Sequence, residues 1–288
     1  ERQGSGTLIL SATADEETMG RLGVEALVKD GVLIGDAAII AEPTGSSRYC
    51  IGERGVIWVR LIARGRPAHA SMSVLGENAI MKLVKAIIKI EELVNEFNKG
   101  IKVPSELSET IRNSAEIYVG IARSLGLNLS LNDFENVITT MNFTPTVIKG
   151  GVQTNVVPDY AELEIDLRVP PGISTKQEID YLKSKLGDIV DIQIIDLSEP
   201  NYTSPNEPIA RLVHEGIERV LGTTPKPIIM APTTDAKHLR PRGIPTVVYG
   251  PGELALAHAY NEYVTIDDLF KAHDVITYVV KKFFGIEK

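Results

Sequence analysis

Several things are scarce or missing in this sequence. Among its 288 residues there is a single cysteine, Cys50. One thiol excludes an intrachain disulfide framework and suits a reducing compartment, so a cytoplasmic location is expected. No apolar run approaches the roughly 18 residues that cross a bilayer, and no signal-peptide pattern opens the chain. Positive charge is in deficit, with 30 basic against 38 acidic residues and a formal net charge of −8. That balance argues against nucleic acid or an acidic membrane surface as the main partner. No internal repeat and no low-complexity tract is present. An initiating methionine is also missing. The sequence opens on Glu1 and within a few residues enters a strand pattern.

What remains is ordinary globular material, 43% apolar and 24% charged, long enough for one large domain or two ordinary ones. Thr7–Ala12 reads as a buried strand, followed by a helix near Leu22–Lys29 and a second buried strand at Ala37–Ala41. Strand, helix and strand with short connections predict a parallel α/β unit. The other end has the same texture: helix Ile209–Leu221, strands Lys226–Met230 and Thr246–Gly250, and a last helix from Thr265 to about Phe284. Thr265 and Asp268 form a capping-box pattern at its start.

The middle differs. Val56–Arg64 reads as a strand with a partner at Arg48–Ile51, and Glu77–Phe97 as a long amphipathic helix. Val137–Lys149 and Val156–Val169 read as strands joined by a Gly150-Gly151 turn. Helix Thr175–Leu186 and strand Ile189–Leu197 follow. Grouped strands and helices predict an α+β sandwich. The expected division is 1–45 plus 202–288 for the α/β domain, with 46–201 as an inserted domain. Segment 101–135, a helix start at Pro104–Glu109 and a leucine-containing loop at Asn128–Asn132, is assigned to the insert as an embellishment.

Three strings carry candidate chemistry. Asp15-Glu16-Glu17 ends the first strand, where open α/β sheets place their sites. Adjacent carboxylates repel unless a cation sits among them; the plain alternative is that they favour the next helix N-terminus. Glu42, before Pro43, puts another carboxylate at the end of the next strand, although a surface glutamate before a turn is common. His258 lies in the loop after Tyr249-Gly250-Pro251-Gly252. Oxygen and nitrogen ligands without cysteine suit zinc, cobalt or manganese.

Among the other histidines, His273 and His214 read as packed helix residues. His238 follows the polar turn Thr233–Lys237 and is open to either reading. His69 sits in the small-residue loop Gly65–Ser71, where little could bury it. Arg168, at a strand end, suits a carboxylate, or an ordinary salt bridge. Asn155 offers an amide that both donates and accepts, as many loop asparagines do. Cys50, between Tyr49 and Ile51, reads as core.

In this order the strings resemble the co-catalytic zinc amidohydrolases and exopeptidases, which include acetylornithine deacetylase, succinyl-diaminopimelate desuccinylase, aminoacylase and glutamate carboxypeptidase. The resemblance runs from Ala14-Asp15-Glu16-Glu17 through Ala41-Glu42-Pro43-Thr44, Gly52-Glu53-Arg54-Gly55 and Gly65–Ser71. It continues through Thr154-Asn155-Val156-Val157-Pro158 and Asp166-Leu167-Arg168 to Tyr249–Gly252, His258 and Glu262-Tyr263-Val264. It implies a zinc-exopeptidase-like catalytic α/β domain with an inserted α+β sandwich that serves as lid and dimerisation domain.

It implies Glu16 as general base, Glu17 and His258 as ligands of one metal and Glu42 as a ligand of the second. His69 would reach into a dimer partner's site to stabilise the oxyanion, and Arg168 and Asn155 would bind the substrate's carboxylate end. Implied too are a two-metal zinc or cobalt centre, a homodimer and an N-acyl amino acid or small peptide as substrate. The family's His-x-Asp and bridging Asp, expected upstream of Glu16, have no counterpart here. The expectation is therefore a catalytic domain incomplete at its N-terminus, with an incomplete metal centre. A non-catalytic dimerisation or binding fragment is the alternative reading.

Overall fold

The computed structural model describes residues 6–257 and 259–286. In chain order, α1 (Val24–Lys29), β1 (Ala38–Ile40) and β2 (Arg48–Glu53) come first, followed by β3 (Gly55–Arg64) and α2 (Ala79–Asn98). The next two helices are α3 (Ser108–Ser124) and α4 (Leu131–Thr139). Strands β4 (Asn142–Gly150) and β5 (Tyr160–Val169), α5 (Thr175–Leu186), β6 (Asp191–Ser198) and β7 (Asn201–Tyr202) follow. The chain closes with α6 (Pro208–Leu221), β8 (Lys226–Met230), α7 (Ala236–Leu239), β9 (Thr246–Val248) and α8 (Ile266–Phe283).

These elements form two compact units. The first comprises 1–53, 104–138 and 201–288, and the second 54–103 and 139–200. The architecture is α/β with a separate sheet-and-helix unit, as the sequence predicts; the units divide at 53/54, 103/104, 138/139 and 200/201, against the expected 45/46 and 201/202.

In the first unit β1 runs parallel to β9 and β2 parallel to β8, while β2 runs antiparallel to β9 and β7. The sheet is therefore mixed. Residues 46–53 belong to it because β2 takes its ladder from β8, β9 and β7; it is no partner of β3. Segment 104–138 belongs here for a related reason. The side of β8 away from β2 meets a helix in place of a strand. Asn113 Nδ2 donates to the Pro227 carbonyl (3.1 Å), and the Ile229 amide donates to Ser114 Oγ (2.8 Å). The Ala231 amide donates to Tyr118 Oη (3.1 Å). Side chains of α3 thus satisfy backbone groups that would otherwise be left open.

Thr7–Ala12 forms no strand. Leu8, Ile9 and Leu10 are exposed, and among the described residues no strand lies alongside to give the segment a ladder. Strand β1 is half-buried throughout.

The second unit is a four-stranded antiparallel sheet ordered β4-β5-β3-β6. Along β5 burial alternates strictly, so Ala161, Leu163, Ile165, Leu167 and Val169 face inward with the period of a pleated strand. They pack with Ile57, Val59 and Leu61 of β3, Leu83, Ala86 and Ile90 of α2, and Ile179, Leu182 and Leu186 of α5. Asn78 and Ser174 cap the two helices by accepting from the Met81 and Gln177 amides. The lone tryptophan, Trp58, lies in β3 opposite Asp166. Residues 137–139 finish α4 and are not the start of a strand. The link between β4 and β5 spans 151–159, so Gly150-Gly151 opens a long loop and not a tight turn.

Candidate active site

Glu16 and Glu17 sit on a single 3-10 turn, Glu16–Thr18, flanked by left-handed residues at Asp15 (φ 76°) and Met19 (φ 80°). The turn forms because Asp15 organises it. The Asp15 carbonyl accepts from the Thr18 amide (3.1 Å) and the Gly20 amide (2.7 Å). The Asp15 carboxylate accepts from the Thr18 hydroxyl and, at 2.8 Å, from the Leu22 amide. These bonds hold the Asp15 carboxyl below its usual range.

Glu16 is half-buried beside other acids. Burial first, then the negative charge of Glu42 and Asp235, push its carboxyl up to about 7, with Lys237 opposing and Glu17 adding to the rise. The structure thus gathers Glu16, Glu17 and Glu42 and adds two residues not singled out as site residues in the sequence, Asp235 and Lys237. Their only sequence signal is the polar string Thr233–Lys237 before His238. Asp235 and Lys237 are both buried, and burial raises the Asp235 carboxyl.

Beneath this cluster lies a second acidic residue the sequence does not flag as chemical. Glu53 is fully buried; Thr234 Oγ1 donates to its Oε1 at 2.5 Å, and Arg240 Nη1 stands 3.6 Å from the same oxygen. Arg240 also donates to Asn201 Oδ1 (2.8 Å) and to the Thr246 carbonyl (3.0 Å). Cys50 is core as expected, and burial pushes its thiol up to about 11.

The carboxylates suit a cation by charge, since crowding that raises Glu16 is what a positive ion relieves. Among the described residues no three His, Cys, Asp or Glu side chains gather so as to hold a metal ion. His258, the expected third donor, lies outside the described residues.

The remaining candidates belong to the second unit. His69 is exposed and caps a 3-10 turn, Ala70–Leu75, its Nδ1 accepting from the Ser71 amide (3.3 Å). Its loop closes at Gly65, where a Cβ would stand 1.9 Å from the Glu77 carbonyl oxygen. Asn155 lies against this loop: the Ala70 amide donates to the Asn155 carbonyl (2.8 Å) and His69 bridges Val156. Next to them is a cavity of about 580 Å³ lined by Ser73, Asn78, Gln153 and Thr154, with no charged residue in its lining.

Arg168 is elsewhere on the sheet. On β5 it pairs with Val56, while the end nearest His69 and Asn155 pairs Tyr160 with Arg64. Eight residues of strand make that separation about 25 Å. Arg168 grips Asp166 with two parallel bonds, 2.8 and 2.9 Å.

Of the other histidines, His214 packs edge-on to Tyr49, its Nδ1 3.2 Å from the tyrosine hydroxyl. His273 is exposed beside Asp274; the inward stripe of α8 is Ala272, Val275 and Val279, one position off the expected phase. His238 Nε2 donates to the Met19 carbonyl (2.8 Å).

Comparison with known proteins accords with this architecture. The peptidase dimerisation domain family matches residues 51–191. A succinyl-diaminopimelate desuccinylase of Sulfurimonas denitrificans is 26% identical over 96% of this chain and 68% of its own length. A [LysW]-lysine/[LysW]-ornithine hydrolase of Sulfurisphaera tokodaii is 29% identical over 93% of this chain and 64% of its own. The chain thus spans about two thirds of the length of these curated relatives. In fold it is similar to an M20 family metallo-carboxypeptidase of Sulfolobus solfataricus, with a TM-score of 0.76 and 22% identity over 94% of this chain and 69% of that one. Residues 51–191 are thus matched by the M20 peptidase dimerisation domain, and over nearly its whole length the chain is similar to a desuccinylase and a [LysW]-lysine/[LysW]-ornithine hydrolase.

Proposed function

We propose that this chain carries catalytic residues for hydrolysis of the amide bond of an N-acyl amino acid or small peptide, with Glu16 as general base. The observation that carries the reading is the crowding of Glu42, Asp235 and Glu17 around half-buried Glu16. The names of the relatives, a desuccinylase and a hydrolase of [LysW]-lysine and [LysW]-ornithine, support it. Glu17, Glu42 and His258 are the proposed ligands of zinc or cobalt. When bound, the metal would supply a water that loses its proton readily near neutral pH.

Glu16 would hold the proton taken in the attack and return it to the leaving amine. His69 would offer a hydrogen-bond donor to the oxyanion, and Arg168 and Asn155 would bind the substrate's carboxylate end. Separation along β5 bears on this directly. A small substrate cannot touch Arg168 and the His69–Asn155 loops of one copy when about 25 Å of strand divides them. A homodimer, with one copy lending His69 and Asn155 to the other, removes the difficulty.

The surface supports a dimer through the second unit. Strand β4 is an edge whose Val147 and Ile148 are exposed, and Met81, Val84 and Ile88 expose a helical stripe on α2. A non-catalytic dimerisation or binding role is the second reading, favoured by the match of residues 51–191 to a dimerisation domain. Metal analysis of the purified chain, combined with hydrolysis assays on N-acyl amino acids and dipeptides, separates the two. Stoichiometric metal with turnover reduced about 10²–10⁴-fold by Glu16→Gln is the expected result. An intact dimer without metal or turnover would leave the second reading standing.

A further inference from the structure

His238 and Gly20 are absorbed by neither the proposed ligand set nor the proposed base, yet they meet at the turn that carries both. Helix α7 is a single turn, Ala236–Leu239, and Thr234 just before it donates to Glu53 Oε1 at 2.5 Å. Glu53 and Arg240 are both buried, so the base of this loop is fixed by a buried charge pair. From that base two consecutive side chains extend to one residue, Met19. His238 Nε2 donates to its carbonyl at 2.8 Å, and Lys237 Nζ lies 3.8 Å from its Sδ.

Met19 is the left-handed residue that ends the Glu16–Thr18 turn, and its amide donates to the Glu16 carbonyl at 3.0 Å. The next residue has a left-handed backbone with two side chains closed over it. At Gly20, φ +68°, a Cβ would meet Asp235 Oδ1 at 2.3 Å and His238 Nε2 at 3.1 Å. One end of the Glu16–Glu17 turn is therefore tied by Asp15 and the other is gripped from outside by α7.

We infer that His238 is a positioning residue that holds the Glu16–Glu17 turn through the Met19 carbonyl, with Gly20 kept bare so that Asp235 and His238 can close on it. The inference rests on the proposed role of Glu16 for its catalytic consequence but not for its structural one. A carbonyl acceptor needs only an N–H at the Nε2 position, so glutamine should replace histidine and leucine should not.

The test uses the full chain as wild type, His238→Gln, His238→Leu and Gly20→Ala, with hydrogen exchange read over residues 15–22 and kcat and KM on the best N-acyl substrate. His238→Leu and Gly20→Ala should speed exchange in that segment by about tenfold or more. They should lower kcat by about 10–100-fold with KM nearly unchanged, and His238→Gln should stay within about threefold of wild type in both readouts. Wild-type exchange in folded His238→Leu and Gly20→Ala would overturn the clasp. So would a glutamine variant as impaired as the leucine one. If His238→Leu does not fold, Gly20→Ala decides by the same exchange criterion. Faster exchange in a chain with no turnover in any form would uphold the clasp and overturn the hydrolase reading instead.

Discussion

Glu53 and Arg240 show how much a single buried pair can govern. Glu53 fixes Thr234, and Arg240 ties Asn201 and the Thr246 carbonyl. Removing the arginine would leave the buried Glu53 carboxylate without its counter-ion. Arg240→Met is expected to lose about 3–5 kcal/mol, read as a fall in the urea midpoint; an unchanged midpoint would show that the pair contributes nothing net. At this scale residue type made Glu16, Glu17 and Glu42 legible as candidate carboxylates, although the strand expected before Glu16 and Glu17 does not form. Asp235 and Lys237 were not legible. Nothing in Thr233–Lys237 says which side chains turn toward Glu16, because that depends on a loop anchored by Glu53, far away in sequence. His273 shows the converse: one step of helical phase turned an expected core residue into an exposed one.

Elements were legible wherever the signal is local. Thr265 accepts from the Asp268 amide (3.0 Å) and donates to its carboxylate (2.6 Å), the reciprocal arrangement expected from the capping pattern. Those bonds, Thr265 first and then Ser46, hold the Asp268 carboxyl below its ordinary value of 3.8. An acid depressed in the folded state adds stability above its ordinary pKa and loses it as pH falls through the lower folded value. The stability gap between wild type and Asp268→Asn should therefore be largest near neutrality and close below about pH 4. A gap that is flat across that range in pH-dependent denaturation would show that the carboxylate charge plays no part. Long-range pairing was not legible. Thr7–Ala12 has strand composition but no neighbour among the described residues to pair with. Helix α3 has an ordinary amphipathic sequence, and nothing in it announces that Asn113, Ser114 and Tyr118 serve as a substitute strand edge for β8.

For the whole molecule, the chain passes between its two units four times, at 53/54, 103/104, 138/139 and 200/201. The single insertion expected from the sequence, 46–201, leaves out the excursion of 104–138 into the first unit. The family match over 51–191 spans that excursion. Association should depend on the second unit: Ile148→Lys combined with Ile88→Glu is expected to convert a dimer to a monomer in sedimentation velocity. A dimer of wild-type stability in that variant would rule out the edge of β4 and the outer stripe of α2 as the contact.

The placement of Trp58 gives the second unit an optical signature of its own. It is the chain's one indole, and it sits in β3 of the second unit, so emission excited at the red edge of the aromatic band reports that unit alone. Circular dichroism in the far ultraviolet reports both. Denaturation recorded by the two probes in one cuvette should superimpose if the units melt together and separate if they melt independently, without a label or a cut in the chain.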